Sequence, residues 1–193
     1  SYSFDFFLFE NGFKEKNMPE KLKEKSFIRR LEVEGYRVYA YEIPSYNEYE
    51  VEIKHRFIGY GMTHLNAVKA PLEDKLKVLN EIWKCVLNRW KKALEAIPSN
   101  DLVIFYSPLP DQAHHVFMND RLFLVLDFYL KLNKLPLLSQ LKKIAILILS
   151  DHGFIHEENT HSSRGFWSSN IELDTEPKTV LDLHNVIMEL VKK

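Results

Sequence analysis

Two short apolar runs constrain this chain more than any other feature: Leu102-Val103-Ile104-Phe105, inside Asp101 to Tyr106, and Ile144 to Leu149. Each is too short for a buried helix and too apolar for a strand with one wet face, so both read as strands covered on both sides. The sequence around them has a helical period. From Leu72 the positions Leu76, Leu79, Trp83, Val86, Leu87, Trp90, Leu94 and Ile97 recur every three or four residues among lysines and glutamates, which predicts a long amphipathic helix. Asp120 to Leu132 reads as a second helix. Thr179 to Val191 reads as a closing one, with Val180, Leu183, Val186, Ile187 and Leu190 on one stripe. Upstream, Ser26 caps a short helix that stops at Gly35, and Tyr36 to Ile43 suits a strand ended by Pro44. Strands alternating with helices predict an α/β fold of three layers, α/β/α, around a mostly parallel sheet. With no repeat and no linker, residues 1–193 read as a single domain.

Composition narrows the function classes. With 26 basic against 27 acidic side chains, no global field favours nucleic acid or an anionic membrane, and an anionic substrate would need a local site. The single cysteine, Cys85, excludes an intramolecular disulfide and fits a reducing compartment, so a cytoplasmic location is expected. The longest apolar run, Ile144 to Leu149, is about a third of the roughly 20 residues that a membrane span requires. No basic n-region with an apolar h-region opens the sequence, so a soluble, non-exported protein is expected. Tyr2 to Phe9, rich in aromatics around Asp5, reads as a buried stretch, and Glu10 to Lys25 as a surface loop.

In open α/β sheets ligands bind beyond the carboxyl ends of the strands, which directs attention to the segment after each apolar run. After the first comes Ser107-Pro108-Leu109-Pro110-Asp111-Gln112-Ala113-His114-His115, and after the second Ser150-Asp151-His152-Gly153-Phe154. Asp111 and His115 are four apart, so a helical turn puts both on one face, where two side chains can grip one ion. His161 lies ten residues past Asp151, on a polar loop short enough to fold back over the sheet end. Asp111, His115, Asp151, His152 and His161 therefore form a candidate divalent-metal site. His114 points elsewhere on the same turn and reads as a residue that backs the ligands or a structural one. His55, His64 and His184 read as surface or packing residues, and His156, Glu157 and Glu158 as a solvated turn. Cys85 has no histidine near it in sequence, and nothing orients Ser162 or Ser163 as a nucleophile.

At these residues the chain resembles the alkaline phosphatase superfamily, particularly its type I phosphodiesterase and nucleotide-pyrophosphatase branch. The likeness is carried by Pro110-Asp111 with His115, by Ser150-Asp151-His152-Gly153, and by Thr160-His161-Ser162-Ser163-Arg164-Gly165-Phe166. It is strongest over Leu102 to Asn170. A fainter likeness covers Phe27 to Pro44, through Glu34-Gly35-Tyr36-Arg37-Val38 and Ile43-Pro44. The resemblance implies a two-metal hydrolase of phosphate mono- or diesters, usually with zinc, and with manganese in related mutases. Asp111, His115 and His161 would hold one ion and Asp151 with His152 the other. The pair of ions would activate the attacking oxygen and stabilise the leaving one.

The chain departs from that family at its start. The family's metal-binding Asp on a first strand, and the Ser or Thr nucleophile after it, have no counterpart here. Tyr2-Ser3-Phe4-Asp5-Phe6 resembles the segment that comes after the nucleophile, so the N-terminal portion of the family fold is expected to be missing, with Asp5 a turn or cap residue. Loss of the nucleophile would leave direct attack by water. Two alternatives remain: a non-catalytic metal- or partner-binding domain, and a phosphotransferase resembling the cofactor-independent phosphoglycerate mutases. An uncovered sheet edge is also expected, inviting a homo-oligomer or a complementing chain.

Overall fold

Local sequence accounts for several helix boundaries in the computed structural model, which describes residues 20–43, 46–47, 69–117, 121–135, 144–155, 157–158 and 160–193. The expectations for Tyr2 to Phe9, Asp5, His55, His64 and His156 fall outside these residues. After a short turn of helix α1 (Glu20–Lys23), Ser26 caps α2 (Phe27–Val33): its Oγ accepts from Arg29 N–H at 3.2 Å. Gly35 ends that helix at φ +93°, a left-handed conformation that costs glycine little. Strand β1 (Val38–Ala40) comes next. The long amphipathic pattern becomes α3 (Leu72–Ala96), closed by a 3-10 turn over Ile97–Ser99 with Pro98 inside it, and β2 (Leu102–Ile104) succeeds it. Then come α4 (Leu109–Phe117) and α5 (Leu122–Asn133). The remaining elements are β3 (Leu147–Ser150), β4 (Gly153–Ile155), β5 (Thr160–Ser162), β6 (Phe166–Ser169) and α6 (Asp182–Lys192). No helix among the described residues is long and apolar enough to cross a membrane.

The chain divides into two compact units. One comprises Ser1–Glu50, Leu87–Tyr106 and Leu173–Lys193. Within it β1 and β2 pair in parallel, Val38 opposite Leu102 and Ala40 opposite Ile104. Arg37 and Asp101 clamp the start of that pair: the Asp101 carboxylate accepts from the Arg37 backbone N–H at 2.8 Å and from its guanidinium at 2.9 and 3.2 Å. Trp90 meets Phe105 edge-on, with centroids 4.9 Å apart. A buried ion pair, Arg89 Nη2 to Glu42 Oε2 at 3.0 Å, lies in the same unit, with Glu42 held at φ +56°.

The second unit, Val51–Val86 and Ser107–Glu172, carries α4, α5 and strands β3 to β6 among its described residues. Leu109, Ala113, Val116 and Phe117 of α4 and Val125 and Phe128 of α5 are buried, the core of that helical pair. Leu122, Phe123, Leu126 and Leu130 of α5 are exposed. β3 pairs antiparallel with β6, and β4 antiparallel with β5.

The expected three-layer α/β/α arrangement around a mostly parallel sheet is therefore not what the described residues adopt. They hold three separate two-stranded pairs, one parallel and two antiparallel, with strands of three or four residues. The apolar run Ile144 to Leu149 has no parallel neighbour among the described residues. Its last residues instead pair with the chain that returns as Phe166–Ser169, a nearby partner reached by a shorter loop than a crossover to β2. Ile148 and Leu149 are exposed, where a sheet covered on both faces would have buried them. The fold is mixed α and β, and the resemblance to the alkaline phosphatase fold does not extend to its sheet.

Candidate metal centre

Asp111 and His115 lie on α4 with the spacing that puts both on one helical face, as their sequence separation predicts. The opposite side of the site comes from a β-hairpin. His161 sits in β5 and not in a loop, directly across from Phe154 of β4. Two hydroxyls brace this hairpin. Ser162 Oγ accepts from the Gly153 N–H at 3.2 Å and donates to the Arg164 carbonyl at 3.1 Å. Ser150 Oγ donates to the His152 carbonyl at 2.6 Å. The Ser162 hydroxyl is thus engaged within the hairpin.

Three donor atoms converge from these two elements. His161 Nε2 lies 2.9 Å from His115 Nε2 and 3.1 Å from Asp111 Oδ1, and His115 Nε2 lies 3.3 Å from the same Oδ1. Asp111, His115 and His161 form a group that can hold a metal ion. Zinc bound at about 2.0–2.1 Å in a tetrahedron has ligand–ligand edges of about 3.3 Å, and an octahedron of the same radius has edges of about 2.9 Å. All three observed separations fall in that interval. A proton on one Nε2 can serve one of these edges and leaves other lone pairs facing each other, whereas a shared cation satisfies all three. Side-chain exposures of 32% for Asp111, 20% for His115 and 41% for His161 leave the group open on one side.

The electrostatics agree with ligand duty. Burial works to raise the Asp111 carboxyl, but the hydrogen bond from His115 and the charges of His115, His161 and His152 outweigh it, holding the group below the ordinary carboxylate value. Burial lowers His161, helped by the charges of His152 and His115, and Asp111 only partly offsets this. A carboxylate and a neutral imidazole at neutral pH are the forms that bind metal.

Asp151 and His152 are placed differently. His152 stacks on His161 with centroids 3.8 Å apart and 16° between the planes, and its Nδ1 is 3.1 Å from the Gly153 carbonyl, which fixes Nδ1 as the donor. Its Nε2 lies 3.8 Å from Asp151 Oδ1, and the Asp151 side chain is 79% exposed. This pair adjoins the converging group without belonging to it. His114 turns toward α5, with Nε2 3.3 Å from Tyr129 Oη. His184 packs edge-on to Phe27 in the other unit.

Phe154 is the residue that sequence reasoning passes over. Its ring meets His115 at 5.5 Å and His161 at 5.8 Å, both edge-on, and stacks on His114 at 5.0 Å. The sequence does carry a signal for it: Gly153-Phe154-Ile155 and Thr160-His161-Ser162 flank a polar stretch as a hairpin would, which sets Phe154 and His161 opposite one another. Comparisons with protein-family models, with curated proteins and with solved structures give no match.

Proposed function

We propose that this chain is a metal-dependent hydrolase domain for phosphate mono- or diesters, with zinc as the ion at Asp111, His115 and His161 and manganese as the alternative. The observation that carries this reading is the convergence of three donors from an α-helix and a hairpin separated by 46 and 50 residues. On the same reading Asp151 and His152 serve a second ion. A divalent ion with three protein ligands and an open position supplies Lewis-acid polarisation of a phosphoryl oxygen. The chain's own part is to hold that position: α4 fixes Asp111 and His115 one turn apart, and the hairpin presents His161 with Phe154 directly opposite it. Two imidazoles and one carboxylate also form the donor set of mononuclear iron(II) sites, so the metal must be read directly.

Protein purified without chelator, analysed for zinc, manganese and iron alongside His115→Ala and His161→Ala, tests the metal assignment. Metal in the wild type and loss in both variants supports it, and full metal content in both variants refutes it. Turnover of p-nitrophenyl phosphate or its bis-ester with added Zn²⁺ or Mn²⁺ tests the hydrolysis. A folded, metal-loaded protein that turns over neither ester would be a non-catalytic metal-binding domain instead.

A further inference from the structure

Three donor atoms lie within about 3.3 Å of one another, and a proton shared along one of these edges still leaves lone pairs facing each other before an ion arrives. Something must hold the two imidazole rings in place against that lone-pair repulsion. Their backbone positions come from different elements, α4 and β5, so backbone pairing does not orient both rings.

Phe154 touches both. Pairing of β4 with β5 sets it opposite His161, and directly opposed residues of an antiparallel pair project from the same face. From there its ring abuts His161 at 67° and His115 at 85° between planes, and stacks nearly parallel, at 19°, on the neighbouring His114. His114 in turn contacts Tyr129 of α5. Phe154 thus contacts both ligating imidazoles and the neighbouring His114 on α4, whereas His152 stacks on His161 without reaching His115 by any ring contact among the described residues.

We propose that Phe154 is a positioning residue for the metal centre, orienting the His115 and His161 imidazoles so that their Nε2 atoms already face Asp111 when the ion binds. The inference rests on the metal-binding reading given above. Hydrogen-bonding partners of metal ligands typically contribute about 10- to 100-fold in affinity, and aromatic contacts such as those of Phe154 about 2- to 10-fold. Phe154→Ala should therefore weaken metal binding by about 2- to 10-fold, while Phe154→Tyr, which keeps the ring, stays at the wild-type affinity.

The test is Co²⁺ and Zn²⁺ affinity of the full chain by competition with a chromophoric chelator, together with the visible spectrum of the Co²⁺ form. Phe154→Leu, which keeps apolar volume without the ring, stands in should the alanine variant fail to fold. Phe128→Ala, a buried aromatic of α5, controls for lost stability. Weakened binding and an altered Co²⁺ spectrum in the alanine and leucine variants, restored by tyrosine and absent in Phe128→Ala, is the expected result. Wild-type affinity and spectrum in the variants lacking the ring overturns the inference and leaves the metal site standing. Equal weakening by Phe128→Ala also overturns it, since stability alone would then explain the effect. A wild type that binds neither ion refutes the metal reading itself.

Discussion

Replacing Glu42 by alanine should be among the most damaging single changes in the unit built on β1 and β2. The Glu42 and Arg89 side chains are 8% and 7% exposed and meet at 3.0 Å through Arg89 Nη2 alone, while Arg89 Nε is buried with no hydrogen-bond partner among the described residues. The alanine variant strands a buried guanidinium, and breaking a buried pair in this way costs about 3–5 kcal/mol. At about 2–4 °C per kcal/mol for a chain of this size, the melting temperature should fall by about 6–20 °C. Backbone conformation adds a second, separable effect. Glu42 sits at φ +56°, which alanine tolerates no better and glycine tolerates freely, so Glu42→Gly should be about 1 kcal/mol less destabilising than Glu42→Ala. Because the pair is joined by one prong, the double variant Glu42→Leu/Arg89→Met should recover most of the loss or exceed the wild type. Urea denaturation monitored by tryptophan fluorescence measures all four proteins. A loss below about 1 kcal/mol in Glu42→Ala would show that water reaches the guanidinium and would refute the reasoning.

The geometry requires three further outcomes. Zinc at 100 times its dissociation constant should stabilise the protein by about 2.7 kcal/mol, a melting shift of about 5–11 °C, which His161→Ala abolishes; identical melting with zinc and with chelator would contradict the site. Asp101, held at about 2 chiefly by its hydrogen bonds from Arg37, has a folded pKa below its unfolded one. Its contribution is therefore complete above about pH 4 and lost as pH falls through about 2, so NMR titration of the carboxyl should show that low midpoint, and Arg37→Ala should return it to the ordinary range. Gly165→Ala would push a methyl group into the Ser150 carbonyl, a backbone atom that cannot move aside cheaply; a cost of about 1–3 kcal/mol or more is expected in denaturant melts, and an unchanged midpoint would show that the turn yields.

The legible and illegible parts of this sequence divide by the range of the interactions that decide them. Ser26, Gly35 and the Asp111–His115 spacing act within one helical turn, and each appears in the structure as its residue type dictates. The apolar runs announce strands but not their partners, because pairing is settled by distant residues; β3 pairs with Phe166–Ser169, and the layered parallel sheet is lost with that pairing. On α3 the period is right and the buried stripe is turned partly away from the expected one. Leu79 and Val86 are buried as the period predicts, but Val78, Ile82, Cys85 and Ala93 are the rest of the buried line, whereas Leu76, Trp83 and Trp90 are half-buried and Leu87 is exposed. Arg89 on that buried line explains part of the discrepancy: a charge balanced by Glu42 can occupy a core position that hydropathy alone assigns to a neighbour.

The donors Asp111, His115 and His161 come together even though the sheet expected to carry them does not form, and the reason is the modest demand such a group makes. One helical turn supplies two donors, and one hairpin supplies the third together with the aromatic ring that steadies it. Neither piece needs a neighbouring parallel strand. Asp151 and His152 occupy the turn between β3 and β4, beside the converging group, so their placement depends on how β3 is paired. Binding at the first group should therefore tolerate substitutions that weaken β3–β6 pairing, whereas ligation by Asp151 and His152 should not. Titrating zinc into an Ile148→Pro variant separates the two: retained affinity at one site with loss of any second equivalent is the result this dependence requires.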